Sequence, residues 1–149
     1  MNDFSDYSDY LNDIGIDPKS STGERIKTII DYYDNLYDNH LLNDIFISEV
    51  IQKDGNRTYI SLWLFYKDRI CEAKNFLTEF DLDSVYYSLK DIRYWNLKFK
   101  DIIDINEPKP SDRAYLSISM KESETLAEFQ ASHLNCKYLL NIFNKYFKK

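Results

Sequence analysis

The chain has 149 residues, 13 Tyr and 9 Phe, only 3 Gly and 3 Pro, and 44% apolar side chains. A chain of that length and composition can bury a core of its own without disulfides or metal, which excludes a globally disordered protein and a low-complexity linker. The net charge of -6 weighs against a phosphate-binding protein, and apolar stretches such as Ile60 to Phe65 are far too short to span a bilayer.

The charge is unevenly spread. Residues 1 to 50 carry 11 acidic and 3 basic side chains, whereas residues 51 to 149 carry 14 acidic and 16 basic ones. An acidic first third favours a cationic partner, either another protein or a basic part of the same chain. Met1 to Asp9 is acidic and polar, without the basic and apolar pattern of a secretory or transit leader, so a cytoplasmic location is expected.

In chain order, the first segment interleaves Asp3, Asp6, Asp9, Asp13 and Asp17 with Phe4, Tyr7, Tyr10, Leu11 and Ile14. Positions 4, 7, 11 and 14 share one helical stripe, and Gly15 and Pro18 end it. The segment reads as a docked helix or a partly ordered recognition arm. Ser21 and Glu24 then resemble a capping box for a helix from Thr22 to Tyr37, with Ile26, Ile29, Ile30, Tyr33 and Tyr37 inward. Asn39 and His40 are stop residues, and Leu41 and Leu42 are expected to tuck into the core.

From residue 44 onward, short alternating strands are predicted. Asp44 to Gln52 and Arg57 to Phe65 flank the turn Lys53-Asp54-Gly55-Asn56, and Ile70 to Phe76 completes a meander. Val85 to Ser88 and Arg93 to Ile103 follow, the latter alternating Trp95, Leu97 and Phe99 with Asn96, Lys98 and Lys100. Pro108 and Pro110 mark a loop. Tyr115 to Met120 and Thr125 to Ala131 form a last hairpin around Glu122-Ser123-Glu124. The C-terminal helix, capped by Ser132 or Asn135, presents Cys136, Leu139, Leu140, Phe143 and Phe147 on one face and Lys137, Asn141, Asn144, Lys145 and Lys148 on the other.

The stretches SLWLFYKDRICEAKNF, SLKDIRYWNLKFKD and YLSISMKESETLAEFQASHLNCKYLLNIFNKYF together resemble the bacterial branch of the pleckstrin-homology-like superfold over about residues 44 to 149. The resemblance implies an α+β unit: a strongly bent antiparallel sheet or partial barrel of about 6–7 strands closed by the C-terminal helix, with residues 1 to 43 as an N-terminal helical extension packed on it. Members bind lipid headgroups or peptides, or act as scaffolds. Lipid-binding members are similar to one another in a basic first hairpin, to which Lys53 and Arg57 would correspond here. Tyr59 stands where a further Arg would fall, and Asp54 sits inside the loop.

No catalytic signature is present: there is no H-E-x-x-H, C-x-x-C, G-x-S-x-G or phosphate-binding glycine loop. Only His133 and Cys136, one helical turn apart, could seed a nucleophile and base pair, and a structural role in the helix cap is the expected use. Cys71 and Cys136 read as reduced, buried thiols. Asp101, Asp104 and Glu107 read as a solvated loop, so no metal and no cofactor is expected. Tyr86, Tyr87, Tyr94 and Trp95, with Lys90, Arg93, Lys98 and Lys100 close by, suit an acidic peptide better than single-stranded nucleic acid. The composite expectation is a non-enzymatic protein-interaction module. A small acidic neutralising partner of the immunity type is the first candidate, using Asp3, Asp6, Asp9, Asp13 and Asp17 against a basic protein. A peptide- or lipid-binding scaffold is the alternative, using an open sheet edge or the groove beside the C-terminal helix, with Arg93, Tyr94, Lys98 and Lys100 as further candidate contacts.

Overall fold

A computed structural model of the chain describes residues 4–36, 42–51, 54–78, 83–102, 104–120 and 126–148. Phe4–Tyr7 form a 3-10 turn leading into α1 (Ser8–Asp13), followed by α2 (Ser21–Leu36). Seven strands then run β1 (Asp44–Ile51), β2 (Arg57–Phe65), β3 (Arg69–Lys74), β4 (Asp83–Ser88), β5 (Ile92–Lys100), β6 (Arg113–Met120) and β7 (Leu126–Ser132), before the closing helix α3 (Asn135–Ile142). The fold is α+β and every strand pairing is antiparallel.

The strands divide into two sheets, ordered β1-β2-β3-β4 and β5-β6-β7, and the expected single bent sheet or partial barrel is corrected accordingly. The physical reason lies at the β1 bulge between Ser48 and Glu49. There the side chains of β1, not its backbone, meet β7. Ser48 Oγ accepts from the Gln130 amide at 2.9 Å, and Glu49 Oε1 accepts from the Ser132 amide at 3.1 Å and from Ser132 Oγ at 2.7 Å. A side-chain seam replaces a ladder, so the sheets join at a corner without closing.

The space between them is filled by aromatic rings. Trp63 of β2 lies 4.1 Å from Phe129 of β7, which also meets Phe46, Phe65 and Phe147. The predicted two-sided burial of β2 holds from Ser61 to Phe65. Cys71 and Cys136 are buried thiols.

α3 departs from the predicted stripe at one position. Cys136, Leu139, Phe143 and Phe147 are buried, but Leu140 is half-buried and Ile142 is buried in its stead. The backbone widens into a π turn over Phe143–Phe147, with the Lys148 amide reaching back five residues to the Phe143 carbonyl. Phe147, at the end of that wider turn, is still in the core. Neither predicted residue caps this helix: Ser132 is bound to Glu49, and Asn135 lies inside the first turn, its side chain committed elsewhere.

The start of α2 is also shifted by one residue. Ser20, not Ser21, caps it: its hydroxyl accepts from the Gly23 amide at 3.2 Å and donates to the Asp17 carbonyl at 2.6 Å. Gly23 sits directly on the Pro18 backbone, where an added Cβ would lie 2.3 Å from the Pro18 oxygen. Of the predicted inward face, Ile26, Ile29, Ile30 and Tyr33 are buried, and Tyr37 lies outside the described residues. Asn39, His40, Leu41 and the Glu122-Ser123-Glu124 turn lie outside the described residues. No described helix is long and apolar enough to cross a membrane.

Candidate functional site

The N-terminal segment is docked, and its sequence pattern explains how. Tyr7, Tyr10, Leu11, Ile14 and Ile16 are buried. The acidic residues at 6, 9, 13 and 17, spaced three or four apart, are exposed. The apolar stripe thus packs onto the domain and the carboxylates form the outer face of α1 and its flanks.

Tyr10 is the principal anchor. Its hydroxyl accepts from the Ile47 amide of β1 at 2.7 Å and donates to Asn135 Oδ1 at 2.9 Å, while Asn135 Nδ2 donates to the Ile47 carbonyl at 2.9 Å. Arm, edge strand and closing helix are therefore tied at one buried point. The far end is held by Arg57 and Tyr59 of β2, which both donate to the Ile14 carbonyl. Gly15, at φ +87, makes the left-handed turn that exposes this carbonyl.

Between the arm, the start of β1 and α3 lies a cleft of about 370 Å3 lined by Asp6, Tyr7, Asp9, Tyr10, Asn43, Asp44, Ile45, Tyr138, Asn141 and Ile142. Tyr138 donates to Asp13 Oδ2 at 2.5 Å and packs edge-on against Tyr10 at 4.6 Å. Asp44 is met by Lys145 Nζ at 2.7 Å and accepts from the Tyr146 hydroxyl. The electrostatics follow from this geometry. Burial, then the Asp13 hydrogen bond and the charges of Asp13 and Asp9, push the Tyr138 phenol up to about 12. Burial and Asp44 likewise raise the Tyr146 phenol. The carboxylate part of these shifts, from Asp9, Asp13 and Asp44, also favours a cation, whereas the burial part penalises any charge. Aromatic faces beside carboxylates are also the surroundings that suit a guanidinium or ammonium group.

Of the five predicted acidic residues, the structure brings Asp6 and Asp9 into the cleft and Asp13 to its rim through Tyr138. Asp17 instead accepts from the Lys19 amide at 2.9 Å in the turn before α2. Asp3 is outside the described residues. Sequence reasoning missed Asp44, Tyr138 and Asn141 as cleft residues. The available signal was the three-residue spacing of Tyr138 and Asn141 beside the apolar stripe of α3, but only tertiary packing brings that edge to the arm.

The second predicted group lies apart on β5. Tyr94, Lys98 and Lys100 are exposed on the outer face of the three-stranded sheet, while Trp95, on the other face, packs edge-on against Phe143 at 4.5 Å. Tyr94 and Trp95 therefore do not share one surface, since neighbouring strand residues point opposite ways. Arg93 is exposed at a bulge, because the pairing with β6 skips from Ile92 to Tyr94.

Of the two first-hairpin cations, Arg57 alone is among the described residues. Arg57 turns inward, its Nε 3.1 Å from Glu49 Oε2 and another nitrogen bound to Ile14. Lys53 is outside the described residues. Cys136 is fully buried, and burial, with Asp112 and Glu49 nearby, pushes its thiol up to about 12. That is the reverse of what a nucleophile needs. Among the described residues no three His, Cys, Asp or Glu side chains converge in a metal-binding group. Compared with family models, with curated proteins and with solved structures, the chain matches none.

Proposed function

We propose that this chain is a non-enzymatic binding module that holds a basic protein through the acidic, tyrosine-lined cleft between its N-terminal arm and α3. The observation that carries the reading is the way the arm is docked. Its apolar face is consumed by the domain, which leaves Asp6, Asp9 and Asp13 outward beside the Asp44 and Tyr138 side of the cleft. A cationic side chain entering there meets carboxylates and aromatic faces together, and Lys145 on Asp44 is an intramolecular instance of such a contact. A rigid acidic surface of this kind steers a basic partner and masks its charge, which is the task of a neutralising protein of the immunity type.

The second reading is a pleckstrin-homology-like peptide scaffold. Support for it comes from the run of seven antiparallel strands followed by a closing helix, and from the half-exposed Leu97 and exposed Phe99 at the sheet edge. The inward commitment of Arg57 weighs against the lipid-binding version.

The test is capture of partners from the source cell by the full chain and by a variant carrying Asp6→Asn, Asp9→Asn and Asp13→Asn. Deleting the arm is unsuitable because it would remove Tyr10, Leu11 and Ile14 from the core. The expected outcome is a basic protein whose association rate falls steeply with salt and falls again in the variant. Equal capture by the folded variant would move the scaffold reading ahead.

A further inference from the structure

We infer that β5 is a self-association edge, and that two copies of this chain pair antiparallel through it about a twofold axis at Leu97. β5 is nine residues long and lies at the border of its sheet, with β6 its sole partner among the described residues. Its exposure is unusual for a border strand: Tyr94, Trp95 and Phe99 are 54%, 44% and 38% accessible. A long border strand with exposed aromatics and an unpaired backbone is a template for another strand.

The identity of that strand follows from the order of side chains along β5. Antiparallel pairing about a twofold axis sets each residue opposite one of the same face. With the axis at Leu97, Leu97 meets its own copy and Trp95 meets Phe99 of the second copy. On the outer face, Asn96 meets Lys98 and Tyr94 meets Lys100. Arg93, left over at the bulge, and Asp101, which follows the strand with a left-handed backbone at φ +65, are both exposed and are not set by the register. The register therefore sets aromatic on aromatic and cation on aromatic, combinations that stabilise cross-strand neighbours.

Displaced registers lack this complementarity. An axis at Lys98 would set that lysine against itself, and an axis at Asn96 would lose the aromatic pair by setting Trp95 against Leu97. Lysines on border strands ordinarily oppose pairing. Here Lys98 and Lys100 find an amide and a phenol opposite them, so their repulsion is spent only on other registers and other strands. The result would be a continuous six-stranded sheet, on a surface separate from the acidic cleft.

Cysteine trapping of the full chain reads the axis directly, and the native thiols do not compete because both are buried. Facing residues have Cα atoms about 4.5–5.5 Å apart, within disulfide range, while diagonal ones are about 7–8 Å apart and outside it. Leu97→Cys is therefore expected to give a covalent dimer of about twice 17.9 kDa under mild oxidation, and Asn96→Cys is not. Because Leu97 is partly buried against the core, a second pair avoids any folding defect. Tyr94→Cys and Lys100→Cys, both exposed, should cross-link when two differently tagged chains are mixed, and neither should do so alone. The wild type should show a concentration-dependent rise in mass by sedimentation. Cross-linking of Asn96→Cys, absence of the mixed product, or a wild-type mass that stays monomeric as concentration rises would each overturn the inference.

Discussion

Replacing Tyr10 by Phe removes one oxygen atom from a site that joins three elements. The hydroxyl is fully buried and makes two hydrogen bonds, at 2.7 Å from the Ile47 amide and at 2.9 Å to Asn135 Oδ1. Burial, the largest cause, holds the phenol well above its ordinary pKa of 10.0, so the group is neutral and donates under all ordinary conditions. The ring and its packing survive in the variant. What changes is that an amide and a carbonyl oxygen lose their partner in a buried site. Each orphaned buried group costs about 1–3 kcal/mol, and the bond remaining from Asn135 Nδ2 to the Ile47 carbonyl limits relaxation, so a loss of about 2–4 kcal/mol is expected. For a chain of this size that corresponds to a drop of roughly 4–16 °C in the unfolding midpoint. Urea and thermal unfolding of the two proteins measure it. Tyr138→Phe, which loses a single bond to the exposed Asp13, serves as the comparison and should cost less than about 1 kcal/mol. If Tyr10→Phe unfolds within about 0.5 kcal/mol of the wild type, the usual range for a surface change, the arm is not clamped at this point and the rigid acidic face loses its basis.

The remaining expectations concern packing and charge. Leu139→Ala should lose about 2–5 kcal/mol and the half-buried Leu140→Ala less than half of that; similar losses in chemical denaturation would contradict the buried face of α3. Gly23→Ala should destabilise the fold although Ala is the better helix former, because its Cβ would meet the Pro18 backbone; a gain in melting temperature would show that this contact gives way. Burial, the leading cause, raises the Glu49 carboxyl above its ordinary 4.5 despite Ser132 and Arg57. The folded chain therefore holds that proton more tightly than the unfolded one. The stabilisation this provides is full below 4.5 and is lost as pH rises through the shifted value. The stability difference between wild type and Glu49→Gln should accordingly change with pH from 4.5 upward; a pH-independent difference would refute the shift.

The elements themselves were legible because each is written in local periodicity. The stripe of Tyr7, Leu11 and Ile14, the face of Ile26, Ile29 and Tyr33, and the alternation of Leu116, Ile118 and Met120 all require only neighbours in sequence. What local pattern does not encode is which distant group will claim a polar side chain. Ser132 and Asn135 carried good capping chemistry, yet Glu49 and Ile47, more than eighty positions away, took them. Ser21 and Glu24 matched a capping box, but the Pro18 turn placed Ser20 at the helix start instead. The division into two sheets was equally hidden, since it depends on a bulge whose side chains occupy amides of β7. For the candidate site, the acidic spacing was readable in the arm, while the opposite wall, Asp44 and Tyr138, arrived only through the fold.

The central claim is that cationic groups are recognised in the cleft between the arm and α3, and amide and side-chain NMR shifts of the full chain titrated with an oligo-arginine peptide test it most directly. The shifts are expected to cluster at Asp6, Tyr7, Asp9, Asp44, Tyr138 and Asn141, to weaken with added salt, and to shrink in the Asp6→Asn, Asp9→Asn, Asp13→Asn variant. Shifts scattered over the acidic surface with no preference for the cleft, or centred on β5 and the neighbouring face of α3, would contradict it.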